Sequence, residues 1–337
     1  MTRHIGIDLG TANTLACVKG KGVVLREPTV VAYNTRTDKV LAVGTEAKEM
    51  IGKTPGSILA FRPLKDGVIA EFEVTKTMLK MFTKKLFAGS LFFMRPSMIV
   101  CIPYGVTEVE RMAVEDAALE AGARSVALIE EPVAAAIGSG IDVANARGSM
   151  IVDIGGGTTE VAVLSLGGIV ESKSLRSAGD KMDDAITAYI RKKYGLMIGE
   201  TTAENIKKNI GSVHPLIDRG TMEVRGRSLN NGLPSTVTVS SSDVEEALRD
   251  IIDDIVEAVK NTLEDTPPEL AGDIYEDGIV LAGGGALLGG LDKLITDATG
   301  VPVRVAPVPL DGVILGIEKV LENIDEYKDT LNFVKYK

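Results

Sequence analysis

Two aspartates in this chain each follow a run of apolar residues and precede a turn rich in glycine and hydroxyl side chains. Asp8 belongs to the segment IGIDLGTANTL (residues 5–15), and Asp153 belongs to IVDIGGGTTEVAV (residues 151–163). Glycine permits close approaches that a Cβ atom would block, and successive backbone N–H groups in such a turn bind anions. The two segments therefore predict two hairpin turns that hold phosphate groups, each with an aspartate placed to face a cation.

The two turns belong to a longer internal repeat, which has to be recognised before a fold is assigned. Each half of the chain has an aspartate hairpin first and a strand, a loop and a helix later. The segment IVCIP (99–103) in the first half resembles IVLAG (279–283) in the second. Two similar halves, each with a phosphate-binding hairpin, predict a nucleotide in the cleft between them.

Two further segments are placed to reach a ligand in this cleft. Glu131 lies between a predicted strand (125–129) and Pro132, which suits the first turn of a helix. The carboxyl ends of strands are where open α/β sheets bind ligands, although a carboxylate at this position also stabilises the helix dipole. Residues 283–290 predict a further glycine-rich turn, separate from the two hairpins. It leads from a strand into a helix and brings backbone N–H groups close to a ligand.

The composition indicates a folded globular chain with room for two domains. Of its 337 residues, 45% are hydrophobic and 25% are charged. The net charge of −10 argues against nucleic acid as a partner, because phosphate backbones bind basic surfaces. Cys17 and Cys101 lie in apolar runs and are expected in the core rather than as ligands. With no signal-peptide pattern and no apolar run of about 18 residues, we expect a cytoplasmic protein.

Capping boxes and changes in local composition divide the chain further into helices, inserted stretches and a tail. Capping boxes at 107–110 and 242–245 predict the starts of two helices, and the tail from Asp325 is expected to be frayed. Residues 33–65 and 179–242 have the character of insertions. In the second insertion, Glu204 and Lys207 lie one turn apart on one helix face, which by itself is typical of a solvated surface.

An apolar cluster, Leu91-Phe92-Phe93-Met94, lies between turn-forming residues and next to Arg95. It is either a loop tucked into the core or an exposed loop that contacts a membrane or a partner, since exposed clusters of this kind mark interaction sites.

With these segments in order, the chain resembles the actin-like ATPase superfamily and, within it, the MreB family of bacterial actin homologues. Besides the two aspartate hairpins, the resemblance is carried by RPLKDGVIA (62–70), EEP (130–132), KNTLEDTPPEL (260–270) and LAGGGALL (281–288). The two hairpins alone indicate only the superfamily. The arginine–proline and proline–proline segments narrow the resemblance to the MreB family.

The resemblance implies an α/β protein with the actin-like ATPase fold, in which two duplicated RNase H-like domains carry inserted subdomains and enclose a nucleotide cleft. The implied boundaries are residues 1–32 and 66–142 for subdomain IA, 33–65 for the inserted IB, 143–179 and 243–316 for IIA, 180–242 for the inserted IIB, and 317–337 for a C-terminal helix and tail returning to IA.

The resemblance also implies ATP or ADP with Mg²⁺ in this cleft. Asp8 and Asp153 would hold the metal mainly through its water molecules, because Mg²⁺ sheds them reluctantly. Glu131 would orient the attacking water, with Thr158 beside the γ-phosphate. The implied nucleotide-binding residues are Ala12, Asn13 and Thr14 in the first phosphate turn, Gly156, Gly157 and Thr158 in the second, Glu204, Asn205, Ile206 and Lys207 at the ribose and base, and Gly284, Gly285, Ala286 and Leu287 at the adenosine.

Assembly and location are implied in the same way. Head-to-tail contacts that do not close generate filaments, and the resemblance implies antiparallel pairs of protofilaments with slow ATP turnover coupled to polymerisation. Leu91, Phe92, Phe93 and Met94 match the family's membrane-inserting loop, which favours the exposed interpretation. The chain would then be peripheral at the inner face of the cell membrane, beside the membrane proteins of cell-wall elongation, and would maintain rod shape.

Two other classes of protein share the paired hairpins. A small-molecule kinase would also need an acceptor pocket with a catalytic base, and no stretch outside the shared core resembles one. A chaperone-type ATPase would need a peptide-binding domain, for which this chain has no candidate segment.

Overall fold

The computed structural model describes residues 4–87 and 95–333. The elements of its first part are β1 (His4–Leu9), β2 (Asn13–Val18), β3 (Gly22–Pro28), β4 (Val31–Asn34), β5 (Lys39–Val43), α1 (Thr45–Lys48), β6 (Ile58–Phe61), β7 (Leu64–Lys65), β8 (Val68–Ile69), α2 (Phe72–Leu86), β9 (Ser97–Ile102), α3 (Glu108–Glu120), β10 (Ser125–Glu130) and α4 (Glu131–Gly138). The predicted membrane loop, Leu91–Met94, lies outside the described residues.

The second part of the chain contains the remaining strands and helices. They are β11 (Ser149–Ile154), β12 (Thr159–Ser165), β13 (Gly168–Leu175), α5 (Gly179–Tyr194), β14 (Leu196–Met197), α6 (Glu200–Ile210), β15 (Thr221–Ser228), β16 (Pro234–Ser240), α7 (Ser241–Asp265), α8 (Pro268–Asp277), β17 (Ile279–Ala282), α9 (Leu291–Thr299), β18 (Val303–Val305), α10 (Gly312–Glu322) and β19 (Asn332–Phe333). Short 3-10 helices cover Gly284–Leu287, Pro309–Asp311 and Lys328–Thr330.

The two large sheets have the same strand order. In the first, β1 pairs with antiparallel β2 and parallel β9, which gives the order β3-β2-β1-β9-β10. In the second, β11 pairs with antiparallel β12 and parallel β17, which gives the order β13-β12-β11-β17-β18. The duplication inferred from the paired aspartate hairpins is therefore confirmed by the topology.

Smaller antiparallel sheets lie within both stretches that have the character of insertions. The sheet β5-β4-β6 spans residues 31–61, and the sheet β14-β15-β16 spans residues 196–240. The exact division of the chain into four subdomains and a returning tail stays a prediction.

The helices α4 and α10 lie between the two large sheets and share one apolar core with both of them. Their backbones touch at two glycines. An ideal Cβ atom on Gly138 would lie 1.7 Å from the carbonyl oxygen of Gly312, and one on Gly316 would lie 1.8 Å from that of Ala134. Residues with a side chain would force the two helices apart at these positions.

The helices α3 and α7 both begin with a capping box, as predicted, although one box lies at a different position. Thr107 and Glu110 form the predicted capping box of α3. The box of α7 is formed by Ser240 and Asp243, two residues earlier than predicted. Three consecutive serines precede Asp243, so the sequence offers several alternatives for the capping position.

The C-terminal tail from Asp325 forms regular structure, although the sequence predicted that it would be frayed. After the 3-10 helix Lys328–Thr330, β19 pairs antiparallel with β10 and extends the first sheet by one strand. That expectation was wrong as far as Phe333, because backbone pairing compensates for the polar composition. Among the residues that the structure describes, no helix has the length and apolar character needed to cross a bilayer.

Candidate functional site

The two aspartate hairpins face each other across a cleft. An ideal Cβ atom on Gly156 would lie 2.6 Å from the Cβ atom of Ala12. One on Gly157 would lie 2.5 Å from the hydroxyl oxygen of Thr11. Only glycine lets the two turns come this close, so Gly156 and Gly157 are explained by their contact with the first hairpin.

A third turn joins the two hairpins. The β7–β8 turn projects into the cleft, and the backbone N–H of Gly67 donates a hydrogen bond to the Thr11 hydroxyl over 3.0 Å. Gly67 also lies against the side chain of Thr158. The segment RPLKDGVIA, which contributed to the family resemblance, thus places backbone at the meeting point of the two halves.

The cleft encloses a cavity of about 600 Å³ that is lined by both halves of the chain. Most of the residues predicted to bind nucleotide or metal line it, and these are Asp8, Ala12, Asn13, Glu131, Asp153, Gly156, Gly157, Thr158, Glu204, Lys207, Gly284, Gly285 and Leu287. A cavity of this size and shape between two domains is typical of a small-molecule or cofactor site.

Four predicted residues do not line the cavity. Thr14 is buried, and its hydroxyl bonds that of Thr29 over 2.8 Å, which in turn donates to the carbonyl oxygen of Gly10. Ile206 and Ala286 are core residues, and Asn205 is exposed on α6. Thr14 therefore supports the first turn from behind, and Ile206 anchors the helix that carries Glu204 and Lys207.

Other lining residues were missed by the sequence analysis. They include Arg26, Arg62, Gly67, Cys101, Asp180, Asp183, Lys208 and Pro309–Asp311. Arg62 and Gly67 belong to the RPLKDGVIA segment. Because this segment carried part of the family resemblance, it could have identified both residues as candidates. The others are brought to the cavity by tertiary packing.

Carboxyl groups cluster at the base of the cavity, where Asp8 and Asp153 are buried and Glu131 is partly exposed. The side-chain polar atoms of Asp8, Cys101 and Glu131 all lie within 4.8 Å of one another, and Asp153 lines the same cavity from the second half. Burial, together with the neighbouring acidic groups, raises the pKa of Asp8 to about 6 and that of Asp153 to about 7. Burial, followed by repulsion from Asp153, raises the pKa of Glu131 well above its usual range.

This donor set fits a hard divalent cation. Mg²⁺ prefers carboxylate and water oxygens, and a cation here would favour the ionised carboxylates, which burial and the neighbouring acidic groups disfavour. Within the described ranges, no hydrogen bond or ion pair engages the carboxylates of Glu131 or Asp153. The chemistry of the site therefore matches the metal that the family resemblance implies.

At the mouth of the cavity, ion pairs connect the first inserted stretch (residues 33–65) with α6. Glu204 accepts from Lys48 of α1 over 2.8 Å and from Lys208 over 2.5 Å. Burial alone would raise the pKa of Glu204, but these two ammonium groups lower it to about 2. Arg62 bonds Glu200 over 2.8 Å and lies 3.6 Å from Asp180.

Lys207 has different partners, both of which belong to α5. Its ammonium donates to the carbonyl oxygen of Gly179 over 2.6 Å and pairs with Asp183 over 2.9 Å. Burial raises the pKa of Asp183 to about 6 despite this pairing. The charged ends of Glu204 and Lys207 therefore lie at the cavity with protein partners of their own.

Comparison with solved structures defines the class of protein. The chain is similar to MreB5 of Spiroplasma citri bound to AMPPNP, with a TM-score of 0.91 and 40% identity over 98% of each chain. It shares its fold with the MamK double helical filament, with a TM-score of 0.80 and 22% identity over 96% of this chain and 99% of that one. The fold is the actin-like ATPase fold.

Comparison by sequence gives the family. A family model described as MreB/Mbl protein matches residues 2–329. The chain is 55% identical to the cell shape-determining protein MreB of Escherichia coli (strain K12), covering 96% of this chain and 94% of the relative. It is 52% identical to the cell shape-determining protein Mbl of Bacillus subtilis (strain 168), covering 96% and 97%. The chain belongs to the MreB/Mbl family.

Proposed function

We propose that this chain is a cytoskeletal ATPase that binds Mg²⁺–ATP in the interdomain cleft, hydrolyses it slowly and polymerises into membrane-associated filaments that direct cell-wall synthesis in a rod-shaped cell. The observation that carries the proposal is the pairing of two glycine turns over a base of buried carboxylates. Backbone N–H groups for phosphates and carboxylates for a cation are the two requirements of a phosphoryl-transfer site.

The residues divide the chemistry between them. The turns at Ala12–Thr14 and Gly156–Thr158 would hold the phosphate groups, and Asp8 and Asp153 would hold Mg²⁺ mainly through its water molecules. The metal would supply neutralising charge on the phosphate oxygens. Glu131, at the first position of α4, would orient the attacking water, with Thr158 beside the γ-phosphate.

The raised pKa of Glu131 bears on this role. Without a cation, burial and the neighbouring acids favour its protonated form. A bound cation would favour the carboxylate, which can accept a hydrogen bond from water. The site would thus become competent for hydrolysis when the metal and the nucleotide are both present.

Membrane attachment is proposed from the sequence of the apolar loop, Leu91–Met94, and from its described neighbours. Lys84 in the last turn of α2 and Arg95 after the loop are both exposed. Apolar side chains that insert between lipids, flanked by cations that meet anionic headgroups, are the two components of peripheral membrane binding.

Electron microscopy of the purified protein with ATP and anionic liposomes tests the whole proposal. The matched control carries serine at positions 91 to 94 and keeps the nucleotide site intact. We expect ATP-dependent paired filaments on the liposomes, and filaments detached from lipid in the control. Filaments bound equally well in both proteins would overturn the loop assignment alone. No filaments under any condition, together with a phosphorylated small-molecule product, would replace the proposal with a kinase.

A further inference from the structure

We propose that the thiol of Cys101 is a positioning residue that holds Asp8 in the orientation needed to bind the cation. The inference rests on the proposed ATPase function and adds a residue to it. The apolar run around Cys101 predicts an ordinary core residue, and only its neighbour in the adjacent strand reveals another role.

Strand pairing places the two side chains next to each other. The strands β1 and β9 are parallel, with Ile7 opposite Val100, so Asp8 and Cys101 follow at adjacent carboxyl ends. The Cys101 thiol donates a hydrogen bond to Oδ1 of Asp8 over 3.3 Å, and both residues are buried. Cys101 itself lines the cavity.

The bond engages one oxygen of Asp8 and leaves the other for the cation. In the described part of the chain, no hydrogen bond or ion pair reaches Oδ2 of Asp8. A thiol has a single hydrogen, so the bond restrains one carboxylate oxygen without adding positive charge. A cationic donor in this position would neutralise Asp8 and compete with the metal, whereas the neutral thiol leaves the full negative charge available.

The thiol also packs beside both carboxylates. The side-chain polar atoms of Asp8, Cys101 and Glu131 lie within 4.8 Å of one another, so the sulfur fills space next to Asp8. Groups that orient a metal ligand from behind typically contribute 10–100-fold to metal affinity. Because a thiol is a weak donor, we expect the lower end of that range.

Three variants separate hydrogen bonding from packing. Cys101→Ala removes both the donor and volume, Cys101→Val keeps volume without a donor, and Cys101→Ser keeps a donor. Cys17→Ala is the matched control, because Cys17 is equally buried in the first sheet and does not line the cavity. The probe is Mn²⁺ with ADP, whose bound and free populations are measured by electron paramagnetic resonance.

We expect Cys101→Ala and Cys101→Val to weaken Mn²⁺ binding about tenfold, Cys101→Ser to recover most of the loss, and Cys17→Ala to bind as the wild type does. Wild-type Mn²⁺ affinity in the alanine and valine variants would overturn the proposal, and so would an equal loss in all three Cys101 variants. A wild-type protein that neither binds Mn²⁺ with ADP nor hydrolyses ATP would instead overturn the proposed function, independently of the variants.

Discussion

Replacing Asp153 by asparagine should stabilise the cation-free protein, although it removes a proposed metal-binding residue. Asp153 is only 6% exposed, and its carboxyl group lies among the negative charges of Asp8 and Glu160. No ion pair or hydrogen bond to its side chain is formed by the described residues, so Asp153→Asn breaks no favourable contact. The amide keeps the shape and removes the buried charge.

The magnitude follows from the pKa of Asp153, which is raised from 3.8 to about 7. Each pKa unit corresponds to about 1.36 kcal/mol, so the ionised carboxylate destabilises the folded state by at most roughly 4 kcal/mol at pH 8. Because folding raises this pKa, the Asp153 carboxyl group leaves the stability of the folded protein intact below about pH 4. Its ionisation penalty grows, and that stability is lost, as the pH rises through about 7. Relaxation reduces the effect, and we expect a gain of about 1–3 kcal/mol at pH 8 and less than half of that at pH 5.

Urea unfolding followed by circular dichroism, in EDTA at pH 5 and pH 8, measures this gain. Asp250→Asn on the exposed face of α7 is the matched control and should change stability little at either pH. Adding Mg²⁺ with ADP should stabilise the wild type more than the Asp153 variant, because ligand binding adds to stability by mass action. Lower stability of Asp153→Asn than of the wild type at pH 8, or an equal gain at both pH values, would refute a destabilising charge at this position.

Three further substitutions test other parts of the site. Glu131→Gln should lower ATP hydrolysis at least about 100-fold while calorimetry shows little change in ADP affinity; equal losses in both would contradict a role in orienting water. Lys48→Ala removes one of the two ammonium groups on Glu204 and should weaken ADP binding about fivefold, or about 1 kcal/mol; unchanged affinity would show that this ion pair does not help to close the cleft. Gly157→Ala places a methyl group 2.5 Å from the Thr11 hydroxyl and should abolish nucleotide binding, so wild-type affinity would exclude the turns as the phosphate site.

The duplicated fold could be predicted because its signals are local. Each aspartate hairpin contains its strand, its turn and its second strand within about a dozen residues, and the two segments resemble each other closely enough to indicate a repeat. The capping box at Thr107 was equally readable, since its partners are three residues apart. The capping box at Ser240 was predicted two residues too late, because three consecutive serines there can each serve as the capping residue.

The ion pairs at the mouth of the cleft could not be predicted from the sequence. Lys48 and Glu204 are 156 residues apart, and each has an ordinary role on its own helix. Considered alone, Glu204 and Lys207 are typical of a solvated surface. Only the folding of both insertions over the same cavity brings these charges together, and no local pattern encodes that.

Cys101 shows the same limit at the base of the cavity. Its apolar strand correctly predicted burial, but the alignment of β9 with β1 decides which neighbour the thiol meets. A shift of one residue would turn the side chain to the opposite face of the sheet. The carboxylates could be predicted because residue type carries their chemistry, whereas the thiol depends on register.

The glycine contact between α4 and α10 has a mechanical consequence. Where backbone touches backbone, no side chain separates the two helices, so any added side chain must push them apart. The helix α4 begins at Glu131, and α10 follows directly after Pro309–Asp311, both of which line the cavity. The pair therefore lies next to residues that line the cavity, so a change in the spacing of the two helices would be passed to those residues. A bulkier residue at Gly138 or Gly316 would act as a wedge that changes nucleotide affinity without touching the nucleotide.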